Sequence, residues 1–188
     1  MSAFVHPDEI RSRFSAALSA MYRAEVPQYG DLLTLVADIN AQTLKADAGG
    51  ADRMAASGEL ARLSGELARL SEERHGAIRV GTADELATIA RAFAVMGMEP
   101  VSYYNLAPAG VPVHSTAFRP VDPAALASNP FRVFTSLLRL ELIEDEALRA
   151  EAAETLARRD IFTPGARELI ETAEAAGGLD EAQADRFV

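Results

Sequence analysis

The stretch Leu70–Glu85, LSEERHGAIRVGTADE, decides how this chain is read, because the spacing of its apolar residues changes there. Up to Arg74 the run is charged and helical in character; from His75 the apolar period drops to two. In HGAIRV, Ile78 and Val80 share one side of a strand with Gly76, while His75, Ala77 and Arg79 share the other. Four residues at about 3.3 Å each put His75 and Arg79 about 13 Å apart on that side. If the face lines a cavity, an imidazole and a guanidinium there offer a metal ligand and a carboxylate clamp. If it does not, they are a hydrogen-bonded core histidine and a surface arginine. No second ligand is spaced to match, so spacing alone favours the second reading, a core histidine and a surface arginine.

Downstream, Thr82 and Glu85 form a T-x-x-E capping box that starts a helix through ELATIARAFAVMG, with Gly97 placed to close it in a left-handed cap. PVSYYNL and VPVHSTAFRP then read as strands around the turn-forming APAG. The result is a βαββ unit able to curve around one face of its helix. DPAALASN is a short helix or turn, and PFRVFTSLLRLELI opens as a further strand. DEALRAEAAETLARRD is a helix, as is TPGARELIETAEAAGG, with Thr163 as cap and Pro164 at its first position. In LDEAQADRFV, Asp180 and Gln183 begin another capped helix, which stops within about two turns on Phe187 and Val188. A terminus of that kind suggests a truncated chain.

Upstream, Pro7 suits a first helical turn, and Ile10, Phe14, Leu18 and Met21 recur on one face. A second helix is expected after VPQYGD, carrying Leu32, Leu33, Leu35, Val36 and Ile39 and ending near Leu44; KADAGGAD follows as a loop. Residues 57–70, SGELARLSGELARL, are two identical heptads with Leu60, Leu63, Leu67 and Leu70 in one stripe. About two heptads fall short of a sustained zipper, so a surface helix laid on the domain is the plainer reading. The fold class is therefore α+β: residues 1–74 helical, 75–143 a curved sheet with one packed helix, and 144–188 helical and apparently cut short.

The 188 residues carry a net charge of −10, which disfavours nucleic acid as a partner, since phosphate binding rests on clustered Lys and Arg. With no cysteine in the chain, disulfides, thiolate catalysis and Cys-ligated metal are excluded, and any metal must be held by His and carboxylate. No apolar run reaches the roughly 18 residues of a membrane span, and the N-terminus lacks the pattern of a signal peptide. A cytoplasmic location is the expectation. Walker, G-x-S-x-G, H-E-x-x-H and G-x-G-x-x-G motifs are missing from the sequence. His6, beside Pro7, suits a capping or solvent-facing position. His114 and Ser115, on alternate faces of VHSTAFRP, are pocket candidates. Arg119, Arg132 and Arg139 could serve anionic substrates, with pairing to the many carboxylates as the default reading. Tyr103 and Tyr104 face opposite ways, so at most one looks into a given cavity.

The runs ERHGAIRVGTADELATIARAFAVMGMEPVSYYNL, AGVPVHSTAFRP and NPFRVFTSLLRLELI, with VPQYGDLLTLVADIN before them and IFTP after, resemble the 2-oxoadipate dioxygenase/decarboxylase family, also called hydroxyglutarate synthase. The resemblance runs from about Val26 to the end. It implies an Fe(II) enzyme with a core similar to the vicinal oxygen chelate fold, converting 2-oxoadipate and dioxygen to 2-hydroxyglutarate and carbon dioxide in lysine catabolism. It also implies that His75, in RHGAIR, is one of two histidines and a glutamate holding the iron, and that Arg79 recognises the substrate carboxylate. The other histidine and the glutamate belong in family members to a region beyond the point where this chain stops. The piece is accordingly expected to bind iron poorly and to be inactive alone. Two other readings compete: a non-catalytic shortened homologue acting as an interaction partner, and a different chelate-fold lyase or isomerase. The oligomeric state is not legible.

Overall fold

The structure, a computed structural model, describes residues 4–47 and 75–188. The chain forms two compact units, Met1–Arg13 with Arg74–Val188, and Phe14–Glu73. The heptad repeat at 57–70 and most of the KADAGGAD loop lie outside the described residues.

Two helices come first: α1 (Pro7–Glu25) and α2 (Pro27–Asp47). α2 begins inside VPQYGD rather than after it. Proline has no amide hydrogen to lose at a first helical position, so Pro27 starts the helix directly and Val26 alone separates it from α1. The Tyr22 and Tyr29 rings meet edge-on across that junction, 5.6 Å between centroids. On α2, Leu32, Leu35, Val36 and Ile39 are exposed.

The larger unit holds β1 (His75–Val80), α3 (Ala83–Val95), β2 (Glu99–Asn105), β3 (Val113–Arg119), α4 (Pro123–Ser128) and β4 (Arg132–Leu138). After them come α5 (Glu146–Ala157), α6 (Pro164–Ala176) and α7 (Glu181–Phe187). The four strands make one mixed sheet in the order β1-β4-β3-β2, with β1 parallel to β4 and the other pairs antiparallel. Helix α3 lies against the face that carries Val80, Phe118 and Val133, all almost fully buried. Phe93 of α3 meets Phe118 at 5.0 Å between ring centroids. The core is built where the apolar side of the sheet alternation meets the apolar stripe of the helix.

Local chemistry sets the helix ends. Thr163 caps α6, Gly177 closes it at φ 82°, and Asp180 and Gln183 form a reciprocal capping box at α7. Thr82 caps α3 by accepting from the Glu85 amide at 3.1 Å, but the Glu85 carboxylate reaches one residue further back than a capping box requires. Its Oε2 accepts from the Gly81 amide at 2.6 Å, and its Oε1 lies 3.2 Å from Arg159 Nε. That last contact is an ion pair without the alignment of a hydrogen bond. It turns the buried carboxylate toward the end of β1. At Gly81 an added Cβ would come within 2.0 Å of a Leu156 methyl, so any larger residue there requires the Leu156 side chain of α5 to move.

Arg11 is the structural residue that hydrophobic patterning does not find. Fully buried, it donates from Nε to Asn129 O at 3.2 Å, from Nη1 to Met96 O at 2.9 Å and from Nη2 to Ala125 O at 3.0 Å. Asp8 Oδ1, 2.8 Å away, balances the charge. One guanidinium thus satisfies the Met96 and Asn129 carbonyls just past the ends of α3 and α4 and adds a second donor to Ala125 O, which already accepts from the Asn129 amide.

Candidate functional site: the open face of the sheet

The strand face opposite α3 carries the side chains that could do chemistry. On β1, His75, Ala77 and Arg79 are exposed, in register with Arg132, Phe134 and Ser136 of β4. On β3, Ser115 and Ala117 share this face, opposite Ser136 and Phe134. The alternation read from HGAIRV therefore holds, with His75 and Arg79 on one side and Val80 in the core.

β2 reaches the same face by an irregular route. Val101 pairs with Ala117, and Tyr104 pairs with Ser115, so β2 spends one more residue than β3 over that interval. Ser102 takes up the extra residue at φ 67°, a left-handed conformation uncommon outside glycine. The bulge reverses the alternation, placing Tyr104 with Val101 on the open face and sending Tyr103 to the other. Ring contacts agree: Tyr104 meets Phe134 at 5.4 Å, while Tyr103 meets His114 edge-on at 5.4 Å.

The two pocket candidates on β3 are thus separated by the sheet. Ser115 shares the face of His75 and Arg79, and its Oγ donates to Ser136 Oγ at 2.9 Å. His114 lies on the opposite face, its Nδ1 2.6 Å from Arg139 Nη1. Arg139 also pairs with Glu141, whose carboxyl its hydrogen bond holds below the usual range. His114 belongs to that polar cluster.

The arginines differ in their occupation. Arg139 is paired with Glu141, and Arg119 donates to the Pro120 carbonyl. The guanidinium groups of Arg79 and Arg132, both on the open face, have no hydrogen bond or carboxylate partner among the described residues, so default pairing holds for Arg139 alone of the three arginines expected to pair. What is held at residue 79 is the backbone: Arg159 Nη2 donates to Arg79 O at 3.0 Å while its Nε faces Glu85. Glu85 in turn holds the Gly81 amide, so the C-terminal end of β1 is fixed on both sides of Val80 and the Arg79 side chain is left to the open face. Of the residues on that face, Ser136 is one that sequence reading does not single out, and Tyr104 is the member of the Tyr103–Tyr104 pair that the sequence leaves undecided. A serine in FRVFTSLL carries no signal by itself, and the bulge conceals the parity of Tyr104.

The arrangement defines an α+β protein whose mixed sheet is covered by helix on one side and presents an imidazole, a guanidinium and hydroxyls on the other. The chain belongs to the 2-oxoadipate dioxygenase/decarboxylase family, whose family model matches residues 14–188. Its relatives of that name include one from Escherichia coli, 61% identical over all of this chain and 40% of the relative. Another, from Pseudomonas putida, is 59% identical over 98% of this chain and 38% of the relative. The crystal structure of the hydroxyglutarate synthase from Pseudomonas putida superposes with a TM-score of 0.86 at 58% identity, covering 100% of this chain and 42% of that one. A second structure of that synthase, in complex with 2-oxoadipate, matches with the same TM-score. The chain spans about 40% of the length of the curated relatives it matches.

Proposed function

We propose that this chain is the N-terminal portion of an Fe(II)-dependent 2-oxoadipate dioxygenase/decarboxylase, acting on 2-oxoadipate and dioxygen to give 2-hydroxyglutarate and carbon dioxide. The observation that carries the reading is the pairing of His75 with Arg79 on one open strand face, with Arg79 free of carboxylate partners among the described residues. In a chain with 28 acidic residues and 18 basic ones, an arginine kept out of ion pairs suits an anionic ligand. The relative whose structure was solved with 2-oxoadipate bound supports the same substrate class.

In this reading Arg79 takes the carboxylate remote from the 2-oxo group and fixes the pose of the acid, where a misplacement of about 1 Å can cost about a hundredfold in rate. His75 supplies one imidazole to the iron. By themselves the described residues do not fit a ferrous site: no group of three or more His, Asp or Glu side chains is gathered among them. The reading therefore needs the second histidine and the glutamate from the family length outside this chain, and no chemical step is derived through the metal. Bound iron would supply the activation of dioxygen and the chelation of the 2-oxo acid. Among the described residues no helix is long and apolar enough to cross a membrane, and we place the enzyme in the cytoplasm, in lysine catabolism.

The test is oxygen uptake and 2-hydroxyglutarate formation from 2-oxoadipate with Fe(II). A family-length protein containing this chain turns over and loses activity with His75→Ala; the 188-residue piece alone is inactive. Full activity of the His75→Ala protein sinks the ligand assignment. Turnover of a 2-oxo acid without oxygen would instead favour a lyase or isomerase.

A further inference from the structure

β1 is an edge strand, so the backbone along its outer side has no neighbouring strand among the described residues to bond with. At residue 79 a side chain from far along the sequence takes that place. Arg159 Nη2 donates to Arg79 O at 3.0 Å, while Arg159 Nε lies 3.2 Å from Glu85 Oε1. Glu85 Oε2 accepts from the Gly81 amide at 2.6 Å, and Leu156, three residues before Arg159, fills the space beside Gly81. Residues 79 to 81 are therefore held at three points, two of them supplied by the C-terminal end of α5.

The packing of α5 does not ask for this. None of its residues is fully buried and Leu148 is exposed, so the helix adds little to the core. Its end is nevertheless firmly braced. Asp160, next to Arg159, accepts from the Phe162 amide at 3.1 Å and from Arg167 Nη2 at 2.8 Å, and the Arg167 guanidinium sits 5.2 Å from the centre of the Phe162 ring. Thr163 then caps α6, which is anchored in the core by Leu169 and Ile170. The turn that carries Arg159 thus has a fixed base, and a planar guanidinium offers its donors in fixed directions from that base. Glu85 points the same way. Its carboxylate is buried, and one oxygen faces Arg159 without an aligned hydrogen bond, an arrangement that is a poor source of stability. What the contacts do achieve is to fix the backbone from which the Arg79 side chain leaves. A small rotation of β1 there would be magnified at the tip of so long a side chain.

We infer that Arg159 and Glu85 are positioning residues for Arg79: together they hold the end of β1 so that its guanidinium stands where the substrate carboxylate arrives. Neither touches the substrate; both act through residue 79. The inference rests on the function proposed above and adds to it the pair, drawn from α3 and from the turn after α5, that determines where the clamp stands.

A family-length protein containing this chain is loaded with Fe(II) and titrated by calorimetry without oxygen, with 2-oxoadipate and with 2-oxohexanoate, which has the same carbon chain without the far carboxylate. Arg159→Ala is expected to weaken 2-oxoadipate about tenfold and 2-oxohexanoate by less than about twofold. In the Arg79→Ala background it is expected to add nothing, because the group it places is gone. An Arg159→Ala protein that binds 2-oxoadipate at full strength, weakens both acids alike, or multiplies the Arg79→Ala loss in full overturns the positioning role and leaves the proposed function standing. Full-strength binding of 2-oxoadipate by Arg79→Ala, or no binding by the unmodified protein, overturns both. Where Arg159→Ala does not fold, Arg159→Lys takes its place. It keeps a cation beside Glu85 and gives up the fork, so a loss of about threefold on 2-oxoadipate alone is expected, and the same outcomes decide.

Discussion

The two faces of the sheet are made by the same four strands and solve opposite problems. Toward α3, Val80, Phe118, Val133 and Thr135 are each 2% exposed or less, and their environment is settled by packing. Away from α3, His75, Ala77 and Arg79 are exposed and carry groups that packing would not choose. One face accounts for stability and the other holds side chains whose chemistry is unspent. The difference shows that a residue can lie in the centre of a regular element and still be free for function, provided the alternation turns it to the unpacked side.

That contrast can be broken most forcefully from the covered side. Phe118→Ala removes a ring packed on Phe93, and a loss of about 3–5 kcal/mol in urea denaturation is expected. Thr135→Val works in the opposite direction. Its hydroxyl is buried without a hydrogen-bond partner among the described residues, so an isosteric methyl should stabilise the chain by about 1 kcal/mol in the same assay. On the open side, Arg79→Ala should shift the stability of the chain by no more than about 0.5 kcal/mol while, if the proposed function holds, 2-oxoadipate binding by a family-length protein falls at least about tenfold, separating function from fold. The smallest effect lies at the outer surface of the covering helix. Arg91 of α3 holds Glu174 of α6 through two bonds of 2.7 Å, and that hydrogen bonding lowers the Glu174 carboxyl from its ordinary 4.5. A depressed folded value means that the pair helps at pH above the ordinary value and that its help is lost as pH falls through the lowered one. Glu174→Gln should therefore flatten a slight acid-side slope in the melting temperature, with little change at neutral pH.

Much of this was legible in the sequence where causes are local. Thr163, Asp180 and Gln183 announce helix starts because a cap is a contact between near neighbours in the chain. His75 and Arg79 could be put on one face because a short strand alternates strictly. The same rule separates Tyr103 from Tyr104 but does not say which of them joins Val101 on the open face, since one left-handed residue at Ser102 changes the parity of all that follows. Glu85 was recognised as part of a cap, but its turn toward Gly81 and Arg159 depends on a helix some seventy residues later. Arg11 reads as one more charged residue on an amphipathic helix. Only the convergence of the ends of α3 and α4 gives its guanidinium enough acceptors to be buried. Ser136 gains its meaning from register across three strands, which a single sequence does not state.

The parallel pairing of β1 with β4 has a consequence in time. β2, β3 and β4 follow one another as antiparallel neighbours and can associate through short connections, whereas β1 must wait for all three before its partner exists. Closing the longest loop last is the least costly order in chain entropy. This predicts φ-values near zero for substitutions at Ile78 in β1 and distinctly higher ones at Val133 in β4, measured from folding and unfolding rates in denaturant. Changes in β1 would then act chiefly on how fast the strand is lost, so the edge bearing His75 and Arg79 is the last part of the sheet to form and the first to open.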